Sequence, residues 1–293
     1  MRRATLLLVL ASTLMSCQSR PEQTATPAPS AVEKGTSSQP PLPDDEAGRL
    51  VRRAIAAAGG WETWLNHRDV AYIATLTIFD PLGNAVSESI FLHKMLLHQG
   101  MKVRLESIGL GEEVLFGFDG QNEWMLRDGR AVTASVCTAF TRFHALSSAY
   151  WFSLPFVLAE LPCELTYLGS EKDGETTVEK IRVGYADSVP VPFDWVILYF
   201  DASTAKLERI HVHALASFLQ HSLWLGVLRG DRQVGGISVE RRRAFFPADA
   251  AGEIVGAMAA ETLLEHVEFD RGFAPDLFAP PEKVRGLTAE IES

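Results

Sequence analysis

"VAYIATLTIFDPLGN", residues 70–84, joins a run rich in β-branched and aromatic side chains to the turn cluster Asp80-Pro81-Leu82-Gly83-Asn84. β-branched and aromatic residues suit a pleated, half-buried surface, and Asp, Pro, Gly and Asn supply turn geometry. The stretch therefore predicts a strand running into a hairpin. The pattern recurs in "MKVRLESI" (101–108), where Met101, Val103 and Leu105 alternate with Lys102, Arg104 and Glu106 before Gly109-Leu110-Gly111. Further strands are expected at 85–97, 113–118, 122–127, 164–169, 175–184, 193–200, 206–215, 221–228, 237–246 and 264–271. So many short strands at this spacing predict a mainly β, α+β chain built on an antiparallel sandwich or barrel.

Two segments break the β pattern. In "DDEAGRLVRRAIAAAGG" (44–60), Ala47, Leu50, Val51, Ala54, Ile55 and Ala58 recur at helical spacing, Asp44 is a candidate N-cap, and Gly59-Gly60 stops the run. The aromatic stretch "CTAFTRFHALSSAYWFSLPFVLAELP" (137–162) reads as helical and interrupts the strand series, with a bend at Pro155 where a backbone donor is lost.

At the other end of the chain, basic Met1-Arg2-Arg3 precedes the apolar "ATLLLVLASTLM", small Ser16 and Cys17. This is the layout of an export signal, and the run falls short of the roughly 20 residues that a membrane-spanning helix needs. Leu14-Met15-Ser16-Cys17 resembles the lipobox of bacterial lipoproteins. The resemblance implies a signal peptide over 1–16, removed by signal peptidase II, and acylation of Cys17 on its thiol and new amino group. Acyl chains at ~0.8 kcal/mol per buried methylene would make that anchor effectively permanent. In enterobacterial lipoproteins Asp after the cysteine favours the inner membrane. Gln18 stands there instead, which implies the outer membrane, facing the periplasm. Residues 17–43 hold six prolines and two large aliphatics, Val32 and Leu42, so they form a disordered linker. As a flexible coil it would keep the domain roughly 30 Å from the bilayer. One domain is expected over 44–293.

Without Arg2 and Arg3, the 27 Lys and Arg fall to 25 against 37 Asp and Glu, a net charge of −12. Such a surface argues against a nucleic-acid partner. Arg241-Arg242-Arg243 lies in a strand-like run and is expected on a solvated edge. With Cys17 acylated, Cys137 and Cys163 are left either as a disulfide in an oxidising compartment or as two small buried hydrophobes.

"AAAGGWETW" (56–64), "YWFSLPFVLAEL" (150–161), "DWVILYFDASTAKLERIHV" (194–212) and "LFAPP" (277–281) together resemble bacterial lipoproteins related to the Lol-type carriers, the periplasmic carrier and outer-membrane receptor that hand lipoproteins to the outer membrane. The resemblance spans about residues 47–281. It implies an incomplete antiparallel β-barrel, here of about 11–12 strands, whose concave side is covered by helices around an apolar cavity for acyl chains. The first helix and the 137–160 insertion would be the covers. No stretch matches the receptor's protruding apolar loop, so what carries over is the container and not its cargo.

Trp61, Trp64, Trp151, Phe152, Phe156 and Trp195 are the candidate cavity residues; each alone reads as core, and together on covering helices they could line a pocket. His211-Val212-His213, with His221 nearby, is the most metal-like feature, but nothing at fixed spacing supplies further ligands, so the pair is expected on a solvated strand face, with Ile210, Val212 and Ala214 toward the core, and no metal and no cofactor is expected. Glu112 and Glu113, like Asp44 and Asp45, read as solvated turn residues. No nucleophile elbow, P-loop or dinucleotide fingerprint is present. The leading expectation is a non-enzymatic outer-membrane lipoprotein that binds an apolar or acyl ligand, with its protein partner in the envelope unspecified. The alternatives are a scaffold with a closed core, and an envelope hydrolase using His211 and His213.

Overall fold

The computed structural model describes residues 39–109, 111–216, 219, 221–282 and 284. The apolar run before Cys17, Cys17 itself and most of the 17–43 linker lie outside the described residues. Strands β1 (Asp69–Phe79), β2 (Ala85–Leu96), β3 (Val103–Ile108), β4 (Val114–Phe118), β5 (Glu123–Arg127) and β6 (Arg130–Ala131) form an antiparallel meander. A second series comprises β7 (Glu164–Asp173), β8 (Thr176–Gly184), β9 (Phe193–Asp201), β10 (Leu207–Ala214), β11 (Leu223–Arg229), β14 (Arg242–Pro247) and β15 (Ala260–Phe269). The two join through β1 and β15 into one 13-stranded sheet, ordered β6-β5-β4-β3-β2-β1-β15-β14-β11-β10-β9-β8-β7. Strands β12 (Arg232–Val234) and β13 (Ile237–Val239) form a separate hairpin.

Turn chemistry fixes the register. Asp80 Oδ1 accepts the N–H groups of Leu82 and Asn84, both at 2.9 Å, and closes the β1–β2 hairpin of the opening stretch. The expected strand at 237–246 is two strands, β13 and β14, and the expected 264–271 strand begins earlier, at Ala260.

Strands β6 and β7 follow one another in the chain yet stand at opposite edges of the sheet, which does not close into a barrel. The connection between them is helical: α3 (Ser135–Ser153) and α4 (Val157–Glu160), parted at Pro155 as proline chemistry requires. The observed architecture is therefore an incomplete antiparallel barrel with covering helices.

Helix α1 (Glu46–Ala57) packs on β7 through the buried face Ala47, Leu50, Val51, Ala54 and Ile55. Its N-cap is Asp45, whose carboxylate accepts the Gly48 N–H at 2.8 Å; Asp44, the expected cap, instead pairs with Arg52. Gly59 (φ +124°) and Gly60 (φ +91°) end the helix, and a Cβ on Gly59 would stand 2.2 Å from the Gly236 carbonyl of the β12–β13 hairpin. Helix α2 (Trp61–Asn66) follows directly. One contiguous core joins these helices to the inward residues of the sheet, among them Tyr72, Phe116, Ile181, Leu198, Phe200 and Val212.

The C-terminal segment is tied down by polar groups. Asp69, 2 % exposed, accepts the N–H groups of Arg271, Gly272 and Phe273 at 2.7, 3.0 and 3.2 Å. Trp124 Nε1 donates to the Phe278 carbonyl at 3.0 Å and so holds the "LFAPP" motif against β5.

Candidate functional site

The seam between the covering helices and the sheet gathers the aromatics of the chain. Trp64 stacks on Phe156 with ring centroids 4.5 Å apart and planes 6° from parallel, and both are fully buried. Phe152 stacks on Tyr72 at 4.8 Å, and Tyr72 stacks on its cross-strand partner His93 at 4.6 Å. Trp151 packs on Phe193 at 4.5 Å. Where α3 ends, Trp151, Phe152, Leu154 and Pro155 face Leu228 and Leu264 across a cavity of about 70 Å³. Lys206 and Asp231, paired at 2.8 Å, stand at its rim.

Of the residues expected at a cavity, Trp151 and Phe152 line this one. Trp61, Trp64 and Phe156 are buried among other side chains on α2 and before α4. Trp195 is placed elsewhere. Val196, Leu198 and Phe200 of β9 enter the core, so by strand alternation Trp195 points to the opposite face, where it meets His211 at 5.0 Å and the Arg182 guanidinium at 5.3 Å.

That outer face corrects another expectation. His211 is fully buried rather than solvated, because the segment after β14 folds over it; a Cβ on Gly252 (φ +87°) would lie 3.2 Å from His211 Nδ1 and 2.9 Å from the Tyr199 hydroxyl. Burial pulls the His211 pKa below its ordinary value, against the opposing effect of Asp249. His213 pairs with Asp194 at 3.1 Å. Among the described residues, no three His, Cys, Asp or Glu side chains are grouped to hold a metal ion.

Strand alternation also splits the arginine cluster. Arg242 faces solvent, but Arg243 turns into the seam and is 5 % exposed, so the solvated-edge expectation fails for it; β14 is an interior strand between β11 and β15. Arg243 pairs with Glu240, lies over the Trp151 ring at 5.5 Å and reaches the Trp151 carbonyl at 3.4 Å. Burial lowers its pKa to about 9, so the guanidinium remains charged at neutral pH. Further along, His93, Thr141 and Ser147 are buried polar residues between α3 and β2, joined by the half-buried His144. His93, Thr141, His144 and Ser147 were not singled out from the sequence.

Cys163 is a free thiol whose Sγ donates to the Leu158 carbonyl at 3.5 Å, and burial pushes its pKa up to about 11. The Cys137–Cys163 bridge, one of the two readings open from the sequence, is not formed. Cys163 lies close enough to Tyr150 to affect its titration, whereas Cys137 sits further down the same helix, ~20 Å away at 1.5 Å per residue. A disulfide needs Cα atoms within ~7 Å.

Among the described residues no helix is long and apolar enough to cross a membrane. No protein-family model matches the chain, and no curated protein matches it. Solved structures do. A domain described as that of an outer-membrane lipoprotein-sorting protein, from Vibrio parahaemolyticus, is 12 % identical over 78 % of this chain and 94 % of its own, with a TM-score of 0.48. A LolA superfamily protein from Nitrosomonas europaea is 10 % identical over 80 % of this chain and 97 % of its own, with a TM-score of 0.47. A DUF1329 family protein from Desulfovibrio piger is 10 % identical over 80 % of this chain and 98 % of its own, also at 0.47. At such identities and scores the likeness bears on neither ligand nor partner.

Proposed function

We propose that this chain is a non-enzymatic envelope lipoprotein, anchored through acylated Cys17 in the outer membrane and facing the periplasm, that binds an apolar or acyl ligand between its covering helices and its open sheet. The observation that carries the reading is the cavity at the end of α3, where Trp151, Phe152, Leu154 and Pro155 meet Leu228 and Leu264. These side chains offer apolar contact to a chain, and Lys206, Asp231, Ser238 and Glu240 also line the space and offer polar contact. Its volume of about 70 Å³ is well below the roughly 300 Å³ at which small-molecule pockets begin, so a whole acyl chain enters only as the α3–α4 cover shifts. Trp151 on the cavity wall makes the event visible: a fatty acyl probe should shift tryptophan emission to the blue and raise the melting temperature as its concentration passes the dissociation constant. Unchanged emission and melting with every acyl probe would defeat the reading.

The same volume, with the complete burial of Trp64 and Phe156, favours a second reading, a scaffold whose barrel is filled by its own side chains. The lipid titration separates the two. The domain over 44–293 is taken as the folded unit in both.

A further inference from the structure

The seam beyond the cavity is not uniformly apolar. His93 Nδ1, Thr141 Oγ1, His144 Nε2 and Ser147 Oγ are enclosed and have no hydrogen-bond partner among the described residues. Thr141, His144 and Ser147 recur at intervals of three along α3 and so share one helix face, while His93 projects inward from β2. Buried polar atoms are rarely left unpaired, since each forfeits its hydration, so four along one seam mark a place built to receive hydrogen bonds. The place is linked to the cavity wall by stacked rings. Phe152 forms the cavity wall and stacks on Tyr72, which stacks on His93.

We infer that this seam takes the polar part of the ligand, and that this part is uncharged: an ester, amide or hydroxyl group on an acyl chain, as in a neutral acylglycerol, rather than a free fatty-acid carboxylate. The inference rests on the proposed function and specifies its ligand class. The charge inventory supports it. Arg243, the buried cation of the seam, has its charge paired with Glu240 and keeps only its Nε–H without a partner, so an entering carboxylate would find no free counter-charge and would lose its hydration. Burial keeps both imidazoles neutral, His93 pulled down to about 3, with a further push from His144, and His144 to about 4. A neutral imidazole offers one N–H and one bare nitrogen, and a hydroxyl both donates and accepts, a set that matches ester and alcohol groups. The acidic balance of the whole chain, 37 Asp and Glu against 27 Lys and Arg, also disfavours anions.

The test is competition between two probes with the same hydrocarbon chain. Full-length protein in non-ionic detergent is incubated at neutral pH with equal amounts of 1-monooleoylglycerol and oleate, and native mass spectrometry reads what is retained. Monooleoylglycerol should exceed oleate by about tenfold, since a site built to hydrogen-bond one group rejects a mismatched one. Thr141→Val, which keeps the shape, and Ser147→Ala should each reduce that preference, and together bring it near unity. Equal retention by the wild type, a preference for oleate, or a preference untouched by the double variant would overturn the inference while leaving acyl binding in place. Retention of neither probe would overturn the proposed function itself, and this inference with it.

Discussion

His98 Nδ1 stands 2.5 Å from Glu160 Oε1, and the same carboxylate oxygen accepts the Trp64 indole N–H at 2.7 Å. The other nitrogen of His98 faces the carbonyls of Trp64 and His67 at 3.2 and 3.0 Å. One imidazole thus ties the β2–β3 turn to α2 and, through Glu160, to α4, the last element of the cover.

This contact carries a pH dependence. Burial alone would lower the His98 pKa, but the hydrogen bond to Glu160, its charge and the two carbonyls outweigh it, and the net shift is upward from 6.5. A group whose pKa is higher in the folded state stabilises fully below its unfolded value and loses that contribution as pH rises through the folded one. Stability should therefore fall as pH rises above about 6.5, and urea midpoints measured from mildly acid to alkaline pH should show the decline. In His98→Gln that component should disappear; an unchanged slope would remove His98 as its source.

Phe152 walls the cavity and stacks on Tyr72, so Phe152→Ala should destabilise by about 3–5 kcal/mol. It should also enlarge the space at the end of α3 and strengthen uptake of an acyl probe. Trp195→Leu, on the outer face, should leave uptake unchanged. Destabilisation without any uptake in either variant or the wild type would favour the filled-core scaffold.

The Arg243–Glu240 pair should behave non-additively. Arg243→Met or Glu240→Leu alone leaves a buried charge uncompensated and should cost about 3–5 kcal/mol, whereas the double replacement should lie within about 1 kcal/mol of the wild type or above it. Denaturant midpoints of the four proteins complete the cycle. Additive losses would mean that the two side chains are not coupled.

Cys17→Ser should leave uncut precursor and abolish fatty-acid labelling in the native host. Normal labelling of that variant would refute acylation at Cys17.

The architecture was readable because strands alternate with period two and their turns carry Asp, Pro, Gly and Asn, as at Asp80–Asn84. The cover was readable from "YWFSLPF" and its proline. The division of β13 from β14 was not, because the "ISVERRRAFF" run reads as one strand although Ser238 N–H is diverted to the Ala58 carbonyl at 2.8 Å. That misreading hid Arg243, whose inward turn follows from strand phase and not from residue type. Trp195 was misassigned for the same reason: an aromatic carries no mark of which face it occupies. His93 and His144 pair a strand with a helix far along the chain, and no local spacing announces such a meeting.

Because α3 joins the two free edges of the sheet, it is a strut as well as a cover. Its 19 residues, at 1.5 Å each, give a length of ~28 Å, packed on β3, β4 and β5. One end continues directly from β6 and the other reaches β7 through the Pro155 bend and α4, so the helix cannot lift away as a freely hinged door would. Any enlargement of the space beneath it would come from rolling about its own axis or from splaying of the two sheet edges.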